Sequence, residues 1–303
     1  MTLPLRIGTR ASPLAMAQTR LVADALRAAH GWGPERIEIV PITTSGDTIK
    51  DRPLADIGGK ALWTKELDRA LAEGITDISV HSMKDVETLR PAELRIAAML
   101  PRADVRDRLI GAKSLAVLRE GATVGTASPR RAAQLRRIRP DLAITLFRGN
   151  VATRLARLDK GEADATLLAA AGLDRLGHPE IGVPLDDLLP APSQGAVGIE
   201  TLAAAKRTVA LIEAIDHRDT HVCVAAERCL LEGLGADCHS PVAALAVIAD
   251  GQVHLRAEIL NADGSLSEAG EARFDAGDGD APRALARQLL DRAAPSLRAL
   301  FGA

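Results

Sequence analysis

Short aliphatic runs alternate with helical patterns along most of this 303-residue chain, and that alternation narrows the folds open to it. "LRIGT" precedes "SPLAMAQTRLVADALRAAH", and "RIEIVPI" is followed by a helical pattern near "TKELDRALAEG" and by the strand-like "DISVHS". Later "ATVGT" leads into "SPRRAAQLRRI", and "AITLFRG" into "VATRLARLDKG". Strand–helix alternation of this kind predicts α/β layers with mixed, largely parallel sheets. In the first helix Ser12 suits the N-cap and Pro13 the first turn. Leu14, Ala17, Leu21, Ala25 and Ala28 recur at helical spacing and are expected to form its core face.

The last ninety or so residues follow another pattern. "RDTHVCVAAERCLLEGLG" reads as a helix, and "PVAALAVIAD" and "VHLRAEIL" read as strands joined at Asp250-Gly251, a strong hairpin signal. "APRALARQLLDRAA" then closes with a helix. Strands grouped between helices predict a small C-terminal α+β domain. No internal repeat is visible. Aromatic residues make up only 2% of the chain, with no Tyr, against 47% apolar residues, so the cores must be aliphatic and rich in Ala. Three cysteines, an odd and low count without a leader, argue for a reducing compartment and against a disulfide framework, and the absence of a C-x-x-C pair argues against a structural zinc site. No metal is expected. "MTLPLRIGTR" lacks the pattern of a secretory leader and no run is long enough for a membrane span, so a cytoplasmic location is expected.

Against a net charge of -2, the stretch from Thr126 to Arg157 holds eight arginines and one acidic residue, Asp141. Ser128 and Pro129 mark a helix start, which puts Arg130 and Arg131 in the first turn. That end of a helix already carries positive partial charge and unbonded N–H groups. Cations there are unfavourable unless an anion joins them, and arginine suits forked recognition of carboxylate or phosphate. The plain alternative is a solvated basic face. Nucleic acid fits poorly, because aromatic side chains for base stacking are scarce and the whole chain is not basic. A small multi-anionic ligand in a cleft of an α/β fold fits better.

Two further constellations stand out. In "ISVHSMKDVET" a strand ends at Val80 and hands over to His81, Ser82, Lys84 and Asp85. Ligand sites in open α/β sheets gather at such strand ends. Lys84 and Asp85 are either site residues or an ordinary surface ion pair. His81 reads as a hydrogen-bonded structural residue rather than a base. In "GLGADCHSPVAA" Cys238 lies in a polar loop, where it is either incidental or a point of nucleophilic or covalent chemistry. Cys223 and Cys229 sit in a helical apolar pattern and read as inert core thiols.

Together these pieces resemble the porphobilinogen deaminases, also called hydroxymethylbilane synthases. The resemblance rests on "RIGTRASPLAMAQ", "GGKALWTKELD", "HSMKDV", "VGTASPRRAAQLRRIRPDL", "FRGNVATRL", "AAAGLDRLG", "PSQGAVGIE" and "ADCHSPV", in that order along nearly the whole chain. It implies a transferase that joins four porphobilinogen units head to tail with loss of ammonia, giving hydroxymethylbilane on the route to haem. It implies a dipyrromethane cofactor held by a thioether, with Cys238 as the attachment point. By matching motif, Asp85 is the catalytic residue. Lys84, Thr126, Ser128, Arg130, Arg131 and Arg154 would hold the cofactor, and Arg10, Ser12, Gln18, Arg148 and Arg175 the substrate. The pyrrole chain carries an acetate and a propionate on every ring, which accounts for the arginines.

The resemblance also implies three domains. Two would be lobes like those of periplasmic anion-binding proteins, 1–99 with 196–215 and 100–195, with the site between them. The third, 216–303, would bear the cysteine loop. Porphobilinogen is the implied partner, without nucleic acid or membrane, and a monomer is implied. The sequence departs from the family pattern at Glu87, where "MKDVP" is usual, at Ala127 and Pro129 of "GTASPRR", at Ser193 of "PSQG", and at Ala236 and Asp237 before the cysteine. Glu87 raises the sharpest question, since it adds negative charge beside Asp85. Two other readings remain open at this stage: a non-catalytic binder of a small carboxylate, which needs neither Asp85 nor Cys238, and a nucleic-acid binder using the arginines.

Overall fold

The computed structural model describes residues 3–44, 64–237 and 239–302. The chain divides into two compact units, Met1–Ala103 with Ala196–His221 and Asp104–Gly195 with Val222–Ala303.

The first unit contains β1 (Leu5–Arg10), α1 (Pro13–His30), β2 (Ile37–Ile42), α2 (Lys65–Ala72), β3 (Ile78–Ser82) and β4 (Leu94–Met99). The second begins with β5 (Asp107–Ile110), β6 (Thr123–Gly125), α3 (Pro129–Ile138), β7 (Ala143–Thr145), α4 (Val151–Asp159), β8 (Ala165–Ala169), α5 (Ala170–Arg175) and β9 (Val183–Leu185). The chain then returns to the first unit through β10 (Val197–Leu202) and α6 (Lys206–Glu213). It ends with α7 (Arg218–Gly233), β11 (Val242–Ala249), β12 (Gln252–Leu260), β13 (Ser267–Phe274), α8 (Asp280–Arg292) and α9 (Pro295–Arg298).

The first sheet has the order β2-β1-β3-β10-β4, and the second β7-β6-β8-β5-β9. In the first, β1 runs parallel to β2 and β3, and β10 lies antiparallel to β3 and β4. In the second, β6 runs parallel to β7 and β8, and β5 lies antiparallel to β8 and β9. The two sheets therefore share one plan, although no repeat shows in the sequence. In each, the antiparallel fourth strand joins the sheet next to a point where the chain passes between units.

Helix α1 is built as its signals predict at the start: Ser12 Oγ accepts from Ala15 N at 3.3 Å, Pro13 opens the helix, and Gly31 ends it at φ 64°. Its core face differs from the expected one. The buried residues are Ala15, Gln18, Thr19, Val22, Ala23 and Leu26, whereas Leu21 is 45% exposed and Ala28 is exposed. Six alanines in 18 residues allow a 3.6-residue period to be drawn on more than one face. Packing of the bulkier Val22 and Leu26 against Ile7, Ile78 and Val80 decides between them.

The C-terminal layer is a three-stranded antiparallel sheet, β11-β12-β13, covered by helices. Asp250 at φ 52° and Gly251 at φ 79° make the two-residue turn of the anticipated hairpin. The third strand, β13, went unread, because "SEAGEARF" is small and charged and alternates between exposed and half-buried positions. Apolar side chains form three separate clusters, one around Ile7, Ile78 and Ile199, one around Leu109, Leu135 and Leu167, and one around Leu230, Leu255 and Leu289.

Within the second unit, Glu227 of α7 is fully buried and accepts from Ser193 N at 2.5 Å and from Ala246 N at 2.7 Å. It thereby ties the C-terminal sheet to the segment after β9. Ser193 itself is 2% exposed, holds φ 64°, and leaves its Oγ without a hydrogen-bond partner. Left-handed backbone disfavours a residue with a Cβ, and a buried unbonded hydroxyl adds to the cost. That conformation explains why glycine is usual at this position. Ser193→Gly is therefore expected to raise stability by about 1 kcal/mol in urea unfolding, and a loss of stability would show that the hydroxyl has a role.

Candidate active site

The carboxyl end of the first unit's sheet opens on a pocket. Arg10 ends β1, Ser12 caps α1, Ser82 ends β3, and Asp85 follows on the 3-10 turn Met83–Asp85. These residues line the pocket with Leu14, Ala15, Gln18, Thr64, Val80, His81 and Val86. The turn is fixed from below. Met83 is 1% exposed and donates through its N–H to Ala196 O at 3.1 Å. Its thioether fills the space beside Gly198, where a Cβ would overlap Met83 Sδ. Gln18 and Ser82 hydrogen-bond each other, with Gln18 Nε2 2.8 Å from Ser82 Oγ. Lys84 lies partly exposed on the same turn.

A charged network lies beside this turn. His81 Nε2 is 3.0 Å from Glu200 Oε2, and Arg90 donates to both oxygens of Glu200 at 2.9 Å. Arg90 also reaches Glu87 at 2.7 Å and Asp68 at 2.5 Å. Thr64 Oγ1 donates to Glu87 at 2.7 Å. Burial would raise the Glu200 carboxyl, but the bonds from His81 and Arg90 outweigh it and hold its pKa down at about 2. Desolvation raises Asp68 despite its bond to Arg90. Asp85 stands apart from all this: among the described residues its carboxylate has no side-chain partner, and it faces the pocket.

The second unit carries the arginines, and here the structure adds an internal partner that the sequence did not show. Arg130 and Arg131 sit in the first turn of α3 as predicted, but they are only 3% and 5% exposed. The anion they meet is internal. Asp107, fully buried on β5, places one oxygen 2.8 Å from Arg130 Nη2 and the other 2.7 Å from Arg131 Nη2. Gln194 Nε2 donates to Asp107 as well, at 2.8 Å. Burial alone would raise the Asp107 carboxyl, but the two guanidinium groups hold it well below the usual carboxylate range.

Much of the rest of the basic stretch is also engaged within the chain. Arg136 donates to Ala262 O at 2.8 Å, Arg137 pairs with Glu258 at 3.0 Å, and Arg139 pairs with Asp141 at 2.7 Å. Thr126 and Ser128 build the helix start: Thr126 Oγ1 accepts from Ser128 N at 3.1 Å, and Ser128 Oγ accepts from Arg131 N at 3.4 Å. Pro129 occupies the first helical position without disturbance.

Not every donor is satisfied, however. Arg130 Nε, Arg131 Nε and Arg148 Nη1 are buried without a hydrogen-bond partner. Orphaned guanidinium N–H groups fit a ligand rich in carboxylates. Arg154 Nε donates to Gly149 O at 2.9 Å. Arg175 Nη2 donates to Gly195 O at 2.7 Å, and burial lowers the Arg175 pKa.

Each predicted site residue thus falls to one unit: Arg10, Ser12, Gln18, Lys84 and Asp85 to the first, and Thr126, Ser128, Arg130, Arg131, Arg148, Arg154 and Arg175 to the second. Cys238 lies outside the described residues. Sequence reasoning missed Asp107, Gln194, Glu200 and Arg90. Asp107 and Glu200 left a trace, as acidic residues within the strands "DRLI" and "VGIETL".

Comparison with known proteins agrees with the motifs. Residues 5–210 match the family model "Porphobilinogen deaminase, dipyromethane cofactor binding domain", and residues 221–292 match "Porphobilinogen deaminase, C-terminal domain". A porphobilinogen deaminase of Sphingopyxis alaskensis is 58% identical over 98% of this chain and 96% of its own length. One from Paracoccus denitrificans is 47% identical over 96% and 95%. Among solved structures, an ABC transporter periplasmic binding protein from Brucella ovis overlays at TM-score 0.41, with 16% identity over 76% of this chain and 68% of that one.

Removing Asp107 would strand two buried cations. Asp107→Asn is expected to lower unfolding stability at pH 7 by about 3 to 5 kcal/mol. Because the folded carboxyl is held below its unfolded value of 3.8, its contribution is present above that pH and fades on acidification. The gap between wild type and variant should therefore narrow as pH falls below the carboxylate range; a gap that is small at pH 7 would contradict the assignment.

Proposed function

The chain belongs to the porphobilinogen deaminase family, and on that premise we propose how its own residues carry the reaction. The enzyme is a transferase that joins four porphobilinogen molecules head to tail, releases ammonia, and yields hydroxymethylbilane for tetrapyrrole synthesis.

The family's dipyrromethane cofactor would be attached through Cys238, and when bound it supplies the primer on which the chain starts. The residues suited to hold it are Lys84, Thr126, Ser128, Arg130, Arg131 and Arg154. Three orphaned donors, Arg130 Nε, Arg131 Nε and Arg148 Nη1, support a polycarboxylate there. Arg10, Ser12, Gln18, Arg148 and Arg175 would bind the incoming substrate. Arginine suits this work because it stays charged when partly buried and grips a carboxylate through two donors.

Asp85 is the residue we assign to chemistry. Loss of ammonia from an aminomethylpyrrole leaves a cation, and attack by the next pyrrole carbon leaves another before a proton departs. A fixed carboxylate near the pyrrole nitrogens stabilises both cations and can accept the proton. One observation carries the assignment. Asp85 is a pocket-lining carboxylate with no side-chain partner among the described residues, while nearby Asp68, Glu87 and Glu200 all accept from Arg90.

Three separate cores support a division into 1–99 with 196–215, 100–195, and 216–303. We place the enzyme in the cytoplasm as a monomer, as the resemblance implies. Among the described residues no helix is long and apolar enough to cross a membrane.

Asp85→Asn is expected to lower porphobilinogen consumption by a factor of about 100 or more, with circular dichroism and the unfolding midpoint unchanged. Near-normal turnover in that variant would remove Asp85 from the mechanism.

A further inference from the structure

Between His81 and Arg90 the chain makes the turn that carries Lys84 and Asp85, and both ends of that segment reach the same carboxylate. His81 Nε2 lies 3.0 Å from Glu200, and Arg90 Nε and Nη2 each lie 2.9 Å from it. Glu200 is 0% exposed, so this grip is desolvated and geometrically firm. Arg90 is also the cation shared by the two other carboxylates near the turn, Glu87 and Asp68. Its side chain is only 9% exposed. Glu87 is turned toward Arg90 and Thr64.

We propose that Arg90 is a positioning residue for Asp85: it fastens the far end of the catalytic segment to Glu200 and pairs with Glu87. This rests on the reading of Asp85 given above. A proline after Val86 would stiffen the backbone by fixing φ. Glu87 cannot do so, and the paired Glu87 and Arg90 side chains supply the restraint instead. The same pairing answers the question raised by the extra negative charge. Glu87 stands two residues from Asp85 in sequence, but its charge is matched at 2.7 Å by a guanidinium.

Among the described residues, the charged and titratable groups around the segment are His81 and Lys84 within it, Asp68 from α2, Glu200 from β10, and Arg10 at the end of β1. Without Arg90, Asp68, Glu87 and Glu200 share no guanidinium, and the region becomes one charge more negative. A more negative surrounding makes a nearby carboxylate harder to ionise. A role confined to packing would not produce that change.

The test compares wild type, Asp85→Asn, Arg90→Met, Glu87→Gln and the Arg90→Met/Glu87→Gln double variant, each checked for fold by circular dichroism. Arg90→Met is expected to lower kcat by about tenfold or more, to leave KM within about threefold, and to move the acid limb of kcat upward by about 0.5 to 1 pH unit. In the double variant the limb should return toward wild type. Glu87→Gln alone should move it downward, and this variant decides the matter if Arg90→Met does not fold. Wild-type kcat and an unmoved limb in Arg90→Met, or an unmoved limb in Glu87→Gln, would overturn the proposal while an inactive Asp85→Asn leaves the reading of Asp85 intact. An active Asp85→Asn would overturn that reading itself.

Discussion

Asp107 lies out of water with one guanidinium on each carboxylate oxygen, and much of the second unit depends on that arrangement. Three charges buried together are tolerable only when the ions are paired and their hydrogen bonds are met. Asp107 meets the condition with Arg130, Arg131 and Gln194. It allows two cations to be stored at a helix N-terminus, where the backbone alone would repel them. From there the contacts continue outward. Arg130 bonds Gln134 at 2.9 Å, Gln134 bonds Glu258 of the C-terminal sheet at 2.9 Å, and Glu258 also holds Arg137. Gly264 packs against the Ala133 carbonyl at φ +73°, a place with no room for a Cβ. The basic stretch thus fastens the C-terminal layer to the sheet.

The first unit uses the same device. Glu200 sits on β10, the antiparallel fourth strand of its sheet, as Asp107 sits on β5, the antiparallel fourth strand of the other. Each is a buried carboxylate that grips a functional segment: Asp107 the start of α3, Glu200 the two ends of the turn around Asp85. The shared plan of the sheets places both. In each case the inner charge is consumed by structure; among the described residues Asp85 of one unit has no side-chain partner, and the Nε atoms of Arg130 and Arg131 in the other have no hydrogen-bond partner.

Much of this was legible in the sequence, for reasons that can be stated. The strand–helix alternation, the Ser12 and Ser128 caps, the Asp250-Gly251 turn and the site motifs are local signals, and local backbone preferences decide them. What escaped was set by long-range partners. Nothing near Arg130 in sequence announces Asp107, which is 23 residues away, and nothing near Arg90 announces Glu200, 110 residues away. The face of α1 was misread because alanine marks no side of a helix. Strand β13 was passed over because its charged residues suit an edge that is half in water. The same limit shaped the question of Glu87, whose charge looks unpaired in sequence and in space is paired with Arg90, with a hydrogen bond from Thr64.

In the proposed function the enzyme is primed and its arginines hold a polycarboxylate. The most direct test is the intact mass of the purified protein, followed by peptide mapping across residues 234–242. The expected result is a mass excess equal to two deaminated porphobilinogen units, located on Cys238. An unmodified Cys238 that stays unmodified after incubation with porphobilinogen would contradict it.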